Sequence, residues 1–405
     1  MTSHPEVPSP APTAVPWNGH LGWGLVVLGF AAAIGLDPWS LSERDPAAIV
    51  GSPRMYVRLA QSVTIGMGLL QLLIAQILMT AEFGRRARAL ASWGTGLGSA
   101  AYVAGYFALA VRPGWAWVIP AAAVLNLAGL SALLAPTVRA RRDPALALIL
   151  AVLALGMLLD VVAGLFASRP ETFFPDYLGG EDGLRQRMLR LARAAAIALA
   201  VLALLMRGLA ARAPGLGVAR WGGRALLLGM ALMPTVLTSA AFTAVELKYL
   251  LPVPASAVFA GTLCAGWLAR RHASRLELGG WALIAASMGA GLLIGMYAFD
   301  GPLPSPVGDY NAFARRVTRL GHAYSIVLGM LCLLAGRWQV VHHPTPGFGR
   351  LAAPLLVGGT ALTLSGVLLA GAFSLPPALL GVGPALVVAA LGLFHACRGA
   401  ALAEG

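Results

Sequence analysis

The feature that most constrains this chain is a series of twelve stretches of about twenty apolar residues, each bounded by Arg, Pro, Trp or Asp. A helix of that length matches the thickness of the hydrocarbon core of a bilayer. Hydrophobic residues make up 58% of the chain and charged residues 11%, so a soluble core could not bury the apolar surface. The sequence therefore predicts an all-α polytopic membrane protein. The predicted spans are 18–37, 57–81, 88–111, 115–136, 145–168, 186–206, 219–243, 250–269, 278–298, 318–336, 348–373 and 378–397.

The charged residues indicate topology. The 29 Lys and Arg residues are spread over short loops, which favours membrane orientation over a nucleic-acid-binding surface as their role. More of them follow even-numbered spans than odd-numbered spans. We therefore expect both termini in the cytoplasm of a bacterium, with the chain in the inner membrane and the lipid bilayer as its main partner.

The chain divides into one large domain and two tails. A proline-rich segment at 1–17 predicts a disordered N-terminal tail, 18–397 a single transmembrane domain, and 398–405 a C-terminal tail. The loops are too short to hold a folded catalytic domain. The sequence contains no Walker A loop and no HExxH or GxSxG motif, which argues against ATP-driven transport and membrane hydrolysis.

A repeated pattern runs along the chain. An Arg is followed by Leu at the next position and by Ile seven residues on, starting at Arg58, Arg190 and Arg319. A Pro-Ala-x-x-Val motif then begins 62, 64 and 65 residues after these arginines, at Pro120, Pro254 and Pro384. We interpret the pattern as three four-helix repeats at about 18–140, 141–275 and 276–397, and expect the three prolines to kink equivalent helices.

Twelve helices in three four-helix repeats resemble the catalytic subunit, subunit I, of haem-copper oxidases, whose helices form three arcs around pores. In that family one His in helix 2 and one in helix 10 hold a low-spin haem, a second His in helix 10 holds the active-site haem, and three in helices 6 and 7 hold copper. His322 lies near the outer start of span 10. The resemblance therefore implies that His322 is a metal ligand, binding the iron of one haem b.

The sequence departs from this family at the positions three residues after each anchor Arg. These repeat-equivalent positions carry Gln61, Arg193 and His322, so the partner His in helix 2 is absent. Tyr324 stands where the second His of helix 10 would be, and span 7 contains no His. A copper site of imidazoles cannot form. For His322 the alternative to a ligand is a polar residue that hydrogen-bonds to a carbonyl or to Ser325.

Three hypotheses for function follow. The first is a non-catalytic, oxidase-subunit-I-like membrane protein of bacterial respiratory electron transport, with haem b as its implied cofactor and other respiratory-complex subunits as partners. On this hypothesis Arg316, Arg319 and Tyr324 join His322 in cofactor binding; otherwise the arginines reach phospholipid phosphate. The second is a secondary transporter of a small anionic or proton-coupled solute. The third is a cofactor-free structural or assembly subunit, and none of the three predicts independent catalysis.

One charge pair is predicted inside the membrane. Asp160 lies about eight residues from the outer end of span 5 and Arg193 about eight residues into span 6, which puts both about 12 Å deep. Because an isolated charge at that depth is unfavourable, we expect the two to pair. The pair is either an anion or proton site or a structural bridge between the two helices.

Overall fold

A computed structural model describes residues 17–42, 53–141, 143–168, 183–297, 300–304, 307–309, 312–342, 348–372 and 382–403. The predicted N-terminal tail lies outside these residues, apart from Trp17. Twelve helices are found there, as predicted. They are α1 (Trp17–Ser42), α2 (Pro53–Thr80), α3 (Arg85–Val111), α4 (Val118–Ala140), α5 (Pro144–Ser168), α6 (Leu184–Ala210), α7 (Gly217–Phe242), α8 (Pro252–His272), α9 (Arg275–Met296), α10 (Phe313–His342), α11 (Phe348–Ala372) and α12 (Val382–Ala403).

Ten of these helices, α1 to α10, are long and apolar enough to cross a membrane, as judged over the described residues. Shorter apolar stretches of α11 and α12 cover Leu351–Ser365 and Val382–Leu393. A single bridge between Leu303 and Gly308 is the extent of β pairing in the described part of the chain. The protein is therefore an all-α, multi-pass integral membrane protein.

The helices pack in chain order. Each helix contacts the next one, and α12 contacts α1, so the series closes on itself. Two further contacts, α2 with α6 and α6 with α10, join helices that are four places apart in the chain order. The apolar windows of α2 and α6 are 72% and 67% buried, more than those of the other candidate spans. The core of the bundle is therefore built around α2 and α6, with α10 against α6.

The predicted kinks at Pro120, Pro254 and Pro384 are wrong. Each of these prolines is the third residue of its helix, in α4, α8 and α12 respectively. The first turn of a helix has N–H groups without an intrahelical acceptor, so proline fits there and no bend is needed. Prolines within helices occur instead at Pro136, Pro234 and Pro354.

Glycines allow close contact between antiparallel neighbours. A Cβ added at Gly129 of α4 would lie 2.7 Å from the backbone nitrogen of Thr95 in α3. At Gly229 of α7 it would lie 3.0 Å from the carbonyl oxygen of Pro254 in α8. Such approach of two backbones is how membrane helices gain packing energy in the absence of a hydrophobic driving force.

Candidate functional site

The three positions predicted to be equivalent in the repeats lie on α2, α6 and α10. Gln61 of α2 is 3% exposed and its Nε2 donates a hydrogen bond of 3.1 Å to the Tyr324 hydroxyl of α10. The Tyr324 ring also lies 6.2 Å from the ring of Phe30 in α1. Tyr324 therefore faces α1 and α2, and its contact with Gln61 joins α2 directly to α10.

His322 faces the opposite way. It precedes Tyr324 by two residues, which is about 200° around a helix. Its Nδ1 lies 3.0 Å from both the hydroxyl and the carbonyl oxygen of Ser287 in α9, and the Ser287 hydroxyl donates to the His322 carbonyl at 3.0 Å. The ring packs against Gly291, where an added Cβ would lie 2.7 Å from Cε1. The structure thus directs His322 towards α9, and Ser325 instead donates to the Gly321 carbonyl.

These contacts do not fit a haem between α2 and α10. Such a haem needs an imidazole on the α2 side of α10 and space for a porphyrin between the helices. That side carries Tyr324, which touches Gln61, while His322 lies on the α9 side with Nδ1 engaged by Ser287. Over the described residues, no group of three or more His, Cys, Asp and Glu is arranged to hold a metal ion.

The arginines at the start of α10 differ in burial. Arg315 is fully buried and its Nη1 donates to the carbonyl oxygens of Gly301 and, at 3.3 Å, Gly308. Arg316 is half-buried, with its guanidinium 5.7 Å from the ring centre of Phe313, and Arg319 is also half-buried. Arg315 therefore fastens the segment between α9 and α10, a role that the sequence pattern did not single out.

Asp160 and Arg193 lie together between α5 and α6. The Arg193 Nη1 is 2.7 Å from the Asp160 Oδ1, and the two side chains are 14% and 6% exposed. Two tyrosines of α3 complete the group: Tyr102 lies beside the Asp160 carboxylate, and Tyr106 lies beside the Arg193 guanidinium. We name these four residues the Asp160 cluster. Sequence reasoning missed both tyrosines, although their spacing of four residues puts them on one helix face.

A second ion cluster was also missed. Glu277, in the first turn of α9, is 1% exposed. Its Oε2 lies 3.0 Å from the Arg212 Nη1, and its Oε1 lies 3.6 Å from the Arg337 Nε. The Ser274 backbone N–H donates to Oε2 at 3.1 Å, and the Ser274 hydroxyl accepts from the Glu277 N–H at 3.2 Å, which makes a capping box. Glu277 therefore joins the ends of α6, α9 and α10.

Helices α1 to α4 share a buried polar network. The Asn18 Nδ2 donates to the Gln71 Oε1 at 2.6 Å, and the Gln71 Nε2 donates to the Ser99 hydroxyl at 2.8 Å. The Ser99 hydroxyl also lies 3.3 Å from the Asn126 Oδ1. These four side chains are fully buried and hydrogen-bonded to one another. The network is thus a fastening within the first four helices, and its signal in the sequence is the set of amides inside apolar spans.

Two ion pairs lie at the ends of the bundle. The Lys248 Nζ is 2.6 Å from the Asp300 Oδ1. The Arg207 Nη2 is 2.5 Å from the Asp143 Oδ2, just before α5. Partial burial raises the pKa of Asp143, but the hydrogen bond from the Leu146 N–H and the charge of Arg207 outweigh it and hold the pKa below its usual range. Both pairs are positioned to fasten loops to helix ends.

Comparison with known proteins adds no identity. The sequence matches no protein-family model, and no curated protein matches it with significance. What the chain does is therefore inferred from the residues and contacts described above.

Proposed function

We propose that this chain is a non-catalytic membrane subunit of bacterial respiratory electron transport, built from three four-helix repeats on the plan of haem-copper oxidase subunit I. It lies in the inner membrane with both termini in the cytoplasm. It has no haem between α2 and α10, and it serves as a membrane scaffold for the redox subunits with which it assembles.

One observation carries the proposal. The three repeat-equivalent positions all make polar contacts with another helix: Gln61 with Tyr324, Arg193 with Asp160, and His322 with Ser287. On the oxidase plan, helices 2, 6 and 10 supply cofactor ligands. In this chain the polar side chains at these positions of the same three helices bind neighbouring helices instead. A scaffold without a redox centre at α2 and α10 follows.

Packing supports the repeat. Gly68 in α2 and Gly329 in α10 each lie ten residues after their anchor Arg. A Cβ added at Gly68 would be 2.9 Å from the Gly22 carbonyl oxygen in α1, and one at Gly329 would be 3.0 Å from the Gly280 carbonyl oxygen in α9. Matched glycines therefore make matched contacts with the preceding helix, which favours a common origin for the two hairpins.

The first test is a visible spectrum of the full-length protein, purified from membranes of its own host in mild detergent. We expect no Soret band in proportion to protein, and the same spectrum for His322→Ala. His20→Ala, which changes an exposed His of α1, is the control. A stoichiometric Soret band that His322→Ala removes and His20→Ala leaves would overturn the haem-free assignment.

The second test is assembly. Native gel electrophoresis of host membranes, followed by detection of the tagged chain, should show it in a band that also contains haem-bearing respiratory subunits. Deletion of the gene should shift or deplete that band. If the chain migrates alone, and its deletion leaves the respiratory complexes and membrane oxygen consumption unchanged, the proposed role is wrong.

A further inference from the structure

The Asp160 cluster lies deep in the bundle and brings together one cation, one anion and two phenols. Tyr102 is 2% exposed and Asp160 4%, whereas the Arg193 side chain keeps 14% of its surface exposed. The Arg193 Nε is buried and has no hydrogen-bond partner within the described residues. The cluster therefore holds one donor that its present contacts leave unused, on a side chain that is not fully enclosed.

Charge balance limits what such a site can take up. With Arg193 charged and Asp160 ionised, the cluster has no net charge, as burial requires. Protonation of Asp160 alone would leave an uncompensated cation, and entry of an anion alone would leave an uncompensated anion. Only the two events together keep the cluster neutral.

We propose that the Asp160 cluster binds one small monovalent anion together with one proton. The proton is taken from solution by the Asp160 carboxylate, which becomes a neutral carboxylic acid. The anion then pairs with Arg193, accepting from the Nε–H and from the guanidinium N–H that Asp160 releases. One proton and one anion enter, no covalent bond other than the O–H of Asp160 forms, and the net charge stays at zero.

The surroundings of Asp160 single it out as the proton acceptor. From α6 it faces Arg193, and from α3 it faces the Tyr102 hydroxyl. The other helices packed on α5 are α4 and α7, and their charged residues lie at the end of the bundle far from Asp160. The Tyr106 hydroxyl lies beside Arg193, where it can donate a further hydrogen bond to the anion.

Chloride binding to the wild-type protein tests the proposal directly. Full-length protein in lipid nanodiscs, in chloride-free buffer, is titrated with radioactive chloride at pH 5.5 and pH 7.5. One proton taken up per anion makes the affinity rise about tenfold per pH unit, so about 100-fold between the two conditions. In weak buffer at pH 7.5, chloride should also consume about one proton per ion bound, read with a pH dye. An affinity ratio below about tenfold, or no chloride binding, overturns the proposal.

Variants separate the roles of the two charges. Asp160→Asn imitates the protonated acid, so at pH 7.5 it should bind chloride at least as tightly as the wild type does at pH 5.5, without proton uptake. Asp160→Asn combined with Arg193→Gln should bind none. Asp143→Asn, which removes the ion pair between the residue before α5 and Arg207 of α6, is the matched control and should keep the wild-type pH dependence of chloride binding.

A folded Asp160→Asn protein that binds no chloride at pH 7.5 overturns the proposal. If that variant does not fold, the wild-type affinity ratio and proton uptake decide the matter. Neither measurement depends on haem content or on respiratory partners, so failure here is distinct from failure of the proposed function.

Discussion

Replacing Glu277 by alanine should lower the free energy of unfolding by about 4 kcal/mol. The side chain is 2% exposed and is shared by two arginines, of which Arg337 is 14% exposed and Arg212 32%. Alanine removes the carboxylate and leaves the Arg337 guanidinium buried without its counter-charge. It also removes the acceptor for the Ser274 N–H at the start of α9.

The magnitude comes from three contributions. Loss of one partner from a buried ion pair is worth about 3–5 kcal/mol, and this dominates through Arg337. The pair with Arg212 is more exposed and adds up to about 1 kcal/mol. Loss of the capping interaction adds about 1 kcal/mol. Because one carboxylate makes all three contacts, the contributions overlap, and a total near the middle of the range is expected.

A glutamine variant separates charge from capping. Glu277→Gln keeps a side-chain oxygen for the Ser274 N–H, so it should be about 1 kcal/mol less destabilising than Glu277→Ala. Unfolding in a denaturing detergent is followed by tryptophan fluorescence, for which Trp281, one turn further along α9 and 1% exposed, is a local reporter. Glu246→Ala, at an exposed position, should stay within about 0.5 kcal/mol of wild type. A Glu277→Ala protein as stable as the Glu246→Ala control would refute the reasoning.

Three further perturbations test other contacts. Asp160→Ala should reduce the yield of folded protein, and Asp160→Ala with Arg193→Leu should restore it, because the double variant leaves no buried charge; size-exclusion chromatography measures both. The ion pair of Asp143 with Arg207 should stabilise the protein above about pH 4 and be lost as the pH falls through the lowered folded-state pKa; Asp143→Asn should abolish this acid-dependent part of the melting temperature. Gly129→Val should separate α3 from α4 and lower the melting temperature by several degrees, since even a Cβ would lie 2.7 Å from a backbone nitrogen.

The helices could be predicted from the sequence because length and hydropathy specify a membrane span with few other inputs. The residues at which the helices begin and end could not be predicted in the same way. The span predicted at 318–336 is the helix Phe313–His342, since a membrane helix continues beyond the hydrocarbon core into the interface, where hydropathy falls. The same limit misplaced Pro120, because hydropathy does not mark where the first helical turn begins.

The contacts of the site residues could be predicted only where the depth of a residue in the membrane is enough to identify its partner. Asp160 and Arg193 lie at equal depth on adjacent antiparallel helices, so their depth in the membrane was enough to predict that they pair. His322 meets Ser287, a contact that depends on how α9 and α10 are rotated, and one sequence does not fix that rotation. Glu277 lies at a helix end, where charged residues are expected in any membrane protein, and only the tertiary approach of Arg337 and Arg212 buries it. The Ser-x-x-Glu capping pattern was its one available signal.

The depth of an ion pair in the membrane also limits the role that the pair can have. The pairs of Asp143 with Arg207 and of Lys248 with Asp300 lie at the ends of the bundle and are partly exposed, so water can hydrate a charge that loses its partner. Asp160 lies inside the bundle, where water does not replace a lost partner. A contact that only joins two helices does not require a charge at that depth, because Gln61 joins α2 to α10 with a neutral amide. Replacement of a buried ion pair by apolar side chains of similar volume is often neutral or stabilising, so stability alone does not favour a charged pair in that setting. The ion pair at Asp160 therefore needs a reason beyond stability, and the proposed joint binding of a proton and an anion supplies one that a neutral amide cannot.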